Sequence, residues 1–241
     1  MKNKICLALD VDNITSVRTL VSETRDFVGI YKVGLELFTA LGPSVVEEIL
    51  GYDCKVFLDL KYHDIPTTVK KAAIAATRMG VSILNVHALG GIDMMRETAN
   101  AVDIEAKYLG IERPKVLAVT VLTSVDKHVL DNELLVQESL KSYVNHLAML
   151  VKIAGLDGVV CSPLETAAIK SDLGSDFICL TPGIRPTWSV ANDQKRFTTP
   201  IEALQAGSDY IVVGRPITKA FYPAKAAQQL LEEVEQHFAM G

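Results

Sequence analysis

The chain contains no Cys-x-x-Cys pair and no His-x-x-x-His pair, which removes the usual sequence signs of a zinc or redox centre. Its four cysteines, Cys6, Cys54, Cys161 and Cys179, mostly fall in apolar strand-like runs and read as buried, reduced thiols. No Gly-x-Gly-x-x-Gly follows the first strand-like run, which counts against a dinucleotide-binding fold. No apolar run approaches the roughly 20 residues that span a bilayer, so no membrane partner is expected. The first residues show no signal-peptide cleavage pattern, and a cytoplasmic protein is the expectation. Positive charge is scarce: 24 Lys and Arg stand against 29 Asp and Glu, a net charge of −5. A general nucleic-acid binder, which needs many cations on phosphates, is thereby disfavoured. A small anion would need a locally basic pocket.

What is present suits an ordinary globular protein. The 241 residues are 49% hydrophobic and 22% charged, enough for an ample core. Eight strand-like runs occur, at about 5–10, 29–34, 55–60, 82–87, 115–120, 158–161, 177–181 and 209–213. Helix-like runs separate them, among them one capped by Asp12-Asn13, one from Gly42-Pro43 through Leu50, one over 67–79 ending at Gly80, and a long one over 133–153. The last covers 224–238. Near-continuous apolar strands alternating with helices imply a parallel sheet covered on both faces. The simplest closure of eight such units is one (β/α)8 barrel domain, a fold of about 250 residues, over 1–241. A doubly wound open sheet is the rival. The connection over 185–199 is long and reads as a lid.

Catalysis in a barrel lies at the carboxyl ends of its strands. Polar groups stand at those ends: Asp10 after the first run, Lys32 in the second, Asp59 and Lys61 in the third, Thr123 after the fifth. Arg185 follows the seventh run and Gly214-Arg215 the eighth. In an extended segment residues two apart share a side, so Asp59 and Lys61 should project together. Two lysines and two aspartates stay charged when their signs alternate, giving a fixed negative charge and a proton donor in one pocket. The loops carrying Gly183, Arg185, Gly214 and Arg215 suit a phosphate, which glycine amides and guanidinium forks bind. Gln194 could swing onto the same phosphate. Two blander alternatives remain: a solvated ion pair at Asp59 and Lys61, and ordinary turn glycines. His63 and His87 lack ligand spacing and read as hydrogen-bonded histidines rather than metal ligands. Trp188 is either a lid anchor or a cap over a ring, and the 143–149 face of the long helix reads as core.

The run Asp59-x-Lys61-x-x-Asp64-Ile65 after an apolar strand resembles the signature of the orotidine 5′-phosphate decarboxylase family. The matches extend through Ala8-Leu9-Asp10, Lys32-Val33-Gly34, Leu122-Thr123-Ser124, Thr181-Pro182-Gly183-Ile184-Arg185, Asn192-Asp193-Gln194 and Val213-Gly214-Arg215. The resemblance implies a (β/α)8-barrel homodimer that converts orotidine 5′-phosphate to UMP and CO2 without metal or organic cofactor. It implies Lys61 as proton donor to C6, Asp59 beside the departing carboxylate, and Lys32 between the aspartates and against the ribose. Asp64, Ile65 and Thr68 would enter from the partner subunit. Asp10 would bind a ribose hydroxyl, Thr123 the pyrimidine, and Arg185, Gln194, Gly214 and Arg215 the phosphate end. Two alternatives share the scaffold. One is a Mg²⁺-dependent lyase of a keto-sugar phosphate, built on the same Asp-x-Lys-x-x-Asp core. The other is a nucleotide-binding protein without turnover.

Overall fold

A computed structural model of the protein describes residues 1–189 and 198–239. Eight strands occur in this part: β1 (Ile5–Ala8), β2 (Ile30–Gly34), β3 (Lys55–Tyr62), β4 (Ile83–His87), β5 (Lys115–Val119), β6 (Gly158–Val160), β7 (Ile178–Thr181) and β8 (Tyr210–Val213). Each pairs in parallel with its sequence neighbour, and β8 returns to β1 through Leu7 opposite Val213, closing a barrel. The open-sheet alternative is thereby excluded.

Alternation along the strands sorts side chains into two cores. Inside the barrel, Cys6, Ala8, Ile30, Phe57, Ile83, Leu117, Val119, Val160, Leu180 and Val212 fill the lower layers. Outside it, the opposite strand faces, including Leu7, Tyr31, Val33, Leu58, Leu84 and Val213, pack against the apolar stripes of the helices. Inward positions change character toward the carboxyl ends, where Lys32, Asp59 and Asn85 succeed Ile30, Phe57 and Ile83. The apolar floor therefore carries a polar layer at the end where the loops open.

Local signals place most helices as expected. The Asn13 side chain accepts from Ser16 N at 2.9 Å and starts the helix Ile14–Thr24. Ser162 and Glu165 form a capping box at the helix Pro163–Leu173. The chain leaves the helix Pro66–Arg78 through Met79 and Gly80, whose φ of +80° suits glycine.

The long helix over 133–153 needs correction. A short helix, Lys127–Asn132, precedes it, and the main helix begins only at Leu140. Between them Leu135 takes a φ of +55°, which a helix forbids, and Ser139 Oγ accepts from Ser142 N at 3.1 Å to start the chain afresh. On that helix Val144, Leu147 and Ala148 are buried as expected, but Met149 is exposed. A further short helix, Leu35–Leu41, directly follows β2.

Gly158 shows how tightly the barrel closes. A Cβ there would stand 2.0 Å from the Ile178 carbonyl oxygen on β7. Gly158→Ala should destabilise the protein by about 3 kcal/mol through overpacking, read as a lower urea midpoint with an unchanged slope.

Candidate active site

The site forms where β1, β2, β3 and β4 end. Lys32 Nζ lies 3.3 Å from Asp10 Oδ1 and 3.4 Å from Asp59 Oδ2. Lys61 Nζ donates to Asp59 Oδ1 at 2.7 Å. The order Asp10, Lys32, Asp59, Lys61 thus alternates in sign. The Asp59 side chain is 10% exposed and Lys32 13%, against 29% for Lys61 and 57% for Asp10, so the middle of the line is buried and both ends open toward solvent. Burial works against the charge on Lys32, but Asp59 and Asp10 outweigh it and hold its ammonium above the ordinary lysine value. Lys32 is therefore charged at neutral pH. Burial pushes the neighbouring Cys6 thiol far up, so it stays neutral beneath the network.

Asp59 and Lys61 do project together, but not by simple alternation. β3 loses register with β4 between Leu58 and Tyr62. Lys61 adopts a φ of +50°, a left-handed conformation rare for a side chain of this kind. Opposite this irregularity stands Asn85 on β4, fully buried. Its Oδ1 accepts from Lys61 N at 2.8 Å, and its Nδ2 donates to Asp59 Oδ1 at 2.8 Å. Sequence reasoning missed Asn85. The available signal was an amide in the middle of the apolar run Ile83-Leu84-Asn85-Val86.

The phosphate candidates lie in the loops after β7 and β8. Gly214 packs close to the end of β1, since a Cβ there would stand 3.5 Å from both Ala8 Cβ and Asp10 Oδ2. Arg215 follows it, exposed at the start of the short helix Arg215–Thr218. Arg185 is half-buried, and its amide donates to Thr198 O at 3.0 Å, tying the two ends of the long connection together. Gln194 lies outside the described residues. Thr123 is exposed in the loop after β5. Trp188 is an anchor: its Nε1 donates to Glu233 Oε2 on the helix Pro223–Ala239 at 3.1 Å, and its ring packs on the outer core.

Asp64, Ile65 and Thr68 are all exposed. Asp64 Oδ1 accepts from Ile65 N at 2.6 Å, at the mouth of the helix Pro66–Arg78. Within one chain these residues do not join the Asp59–Lys61 group through any described bond. His63 and His87 stack, with ring centroids 5.5 Å apart.

A family model described as orotidine 5′-phosphate decarboxylase / HUMPS matches residues 3–230. The chain belongs to this orotidine 5′-phosphate decarboxylase family. A protein of that name from Trichlorobacter lovleyi is 48% identical over 233 residues, covering 97% of this chain and 95% of that one. One from Geotalea daltonii is 49% identical over 231 residues, covering 96% and 95%. Among solved structures, the orotidine 5′-phosphate decarboxylase of Lactobacillus acidophilus superposes with a TM-score of 0.83 at 38% identity, covering 97% of this chain and 98% of that one. Membership in this family accords with the barrel. No helix among the described residues is long and apolar enough to cross a membrane.

His87 supplies a pH test of the site's surroundings. Burial first, then His63 and the Lys61 ammonium, lower its pKa below the ordinary 6.5. The unfolded chain then binds a proton that the folded chain refuses. Stability falls as pH drops from about 6.5 toward the lowered folded value. Thermal midpoints measured over this window should fall less steeply for His87→Asn than for the parent.

Proposed function

We infer that the protein is a carboxy-lyase that converts orotidine 5′-phosphate to UMP and CO2 in pyrimidine biosynthesis. The observation that carries the chemistry is the 2.7 Å contact between Lys61 Nζ and the buried Asp59 carboxylate. When the bond from C6 to the carboxylate breaks, an electron pair remains on a ring carbon. The Lys61 ammonium, already in place, stabilises that charge and then donates its proton to C6. UMP results, and the neutral amine regains a proton from solvent. Asp59 holds Lys61 at one point. Its charge opposes the substrate carboxylate, and the opposition ends as neutral CO2 departs. Lys32 balances Asp59 and reaches the ribose, with Asp10 on a ribose hydroxyl and Thr123 on the pyrimidine. Arg185, Gln194, Gly214 and Arg215 grip the phosphate, whose binding energy holds the reacting end in register. No cofactor takes part: a bound cation would have to enter beside Lys32, whose ammonium already stands between two carboxylates.

The working unit is a homodimer with shared sites. Ile65 is 66% exposed, and Leu35, Leu89 and Leu122 are exposed too, in the segments that follow β3, β2, β4 and β5. Four large apolar side chains on neighbouring loops suit burial against a second copy. That copy would bring its own Asp64, Ile65 and Thr68 to the Lys61 of this one.

Chelator-treated protein should consume orotidine 5′-phosphate, followed by ultraviolet absorbance, and no turnover at any pH would overturn the reading. Turnover of a keto-sugar phosphate that requires Mg²⁺ would favour the metal-dependent alternative. Lys61→Ala should lower kcat by at least about 10⁴-fold while remaining folded. Mixed Lys61→Ala and Asp64→Ala subunits should regain activity. A heterodimer has one intact site of two, so random mixing restores about a quarter of the sites.

A further inference from the structure

We propose that Asn85 is a positioning residue that sets the Asp59–Lys61 pair for catalysis. The proposal deepens the decarboxylase reading and rests on it for its effect on turnover. Between the paired positions Leu58 with Leu84 and Tyr62 with Val86, β3 carries Asp59, Leu60 and Lys61 where β4 carries Asn85 alone. Three residues thus face one. A parallel ladder cannot satisfy a bulge of this size through the backbone alone, and the surplus must be held by something else. Asn85 does this. Its amide bridges the two ends of the bulge, the Lys61 backbone N–H and the Asp59 carboxylate.

The orientation of the amide is decided by chemistry. Lys61 N–H can only donate, so it must meet the amide oxygen. The amide nitrogen is then aimed at Asp59, which as a carboxylate can only accept. Both halves of the side chain are used, and neither could be exchanged. Asn85 Nδ2 and Lys61 Nζ converge on the same Asp59 oxygen, at 2.8 and 2.7 Å. The amide thereby fixes the rotation of the carboxylate, and the carboxylate fixes the ammonium. Through its other end the amide also holds the left-handed backbone of Lys61, at φ +50°. The charged groups that face Asn85 are Asp59 and Lys61 on β3, with Lys32 on β2 beyond Asp59. Across the other edge its strand neighbour is the apolar Leu117.

Two variants test this. Asn85→Leu keeps the branched shape and heavy-atom count of the side chain and removes both bonds. It should lower kcat about a hundredfold, the loss that follows a small misplacement of a catalytic group, while KM and UMP affinity stay within a few-fold of the parent. Asn85→Asp gives a second readout. Ionised, its carboxylate repels Asp59. Protonated, its carbonyl oxygen accepts from Lys61 N–H and its hydroxyl donates to Asp59, restoring both bonds. Its kcat relative to the parent should therefore rise as pH falls from mildly alkaline to mildly acidic. A parent-like kcat in Asn85→Leu would overturn the proposal. So would a ratio for Asn85→Asp that stays flat and low across pH, which a merely structural role produces. If Asn85→Leu does not fold, the Asn85→Asp ratio alone decides. Parent turnover is measured first. Should the parent itself be inactive, the decarboxylase reading fails separately, and a crystal structure of Asn85→Leu judges the positioning: Lys61 Nζ still on Asp59 Oδ1 would overturn it.

Discussion

The Asp59 carboxylate is the point to which the rest of the site is tied. It accepts from Lys61 and Asn85 on one oxygen and faces Lys32 with the other, in a place almost closed to water. A lone carboxylate at that depth would carry a high desolvation cost, which the contacts with three partners offset. The same partners are bound by it in turn, since Lys32 is charged at this depth because Asp59 and Asp10 surround it. Asp10, Lys32, Asp59 and Lys61 sum to zero, and removing Lys32 or Asp59 leaves a charge uncompensated where the desolvation cost is high. The arrangement adds little to stability as a whole. What it provides is direction: charges that do not need to reorganise when a reaction places electrons on carbon.

The barrel makes such a line affordable by its layering. The apolar interior from Cys6 and Phe57 up to Val119 and Leu180 excludes water below the site, so the charges above act at low dielectric. The outer core of strands and helices carries the stability, and the inward polar layer is thin. β3 is the strand that departs from regularity. Its surplus residues swing the Lys61 amine back onto Asp59, and the irregular backbone is satisfied from β4 by a side chain rather than by another strand. Strain of this kind persists where the surroundings over-determine it, and here a buried amide does so.

In the proposed function the two ends of the substrate fall to different parts of the chain. The charge network comes from β1 to β3, while the phosphate candidates follow β7 and β8. Closure of the sheet joins them, because Val213 pairs with Leu7 and brings Gly214 beside Asp10. Trp188 on Glu233 fastens the long connection to the body of the barrel, and the Arg185–Thr198 bond joins its two ends. The half of the mouth after β2 to β5 instead carries the exposed apolar side chains Leu35, Ile65, Leu89 and Leu122.

Much of this was legible in the order of residues. Near-continuous apolar runs, helix caps such as Asn13 and Ser162, and polar residues at strand ends are local signals, read from neighbours in the chain, and they carried the eight units and the Asp10, Lys32, Asp59 and Lys61 set. The break before Leu140 was less legible, because the apolar period runs on through a segment where Leu135 takes a conformation that no helix allows. Strand register was not legible at all. It depends on which residues of β4 meet which of β3, and those segments are joined by a helix whose length does not encode their offset. Hence the sequence by itself determined the kinds of groups at the mouth of the barrel and their alternating signs. Only the tertiary structure decided that Lys61 reaches Asp59 through a left-handed bulge, and that Asn85 holds it there. A bulge belongs to two strands at once, and its partner lies twenty-four residues from Lys61 along the chain.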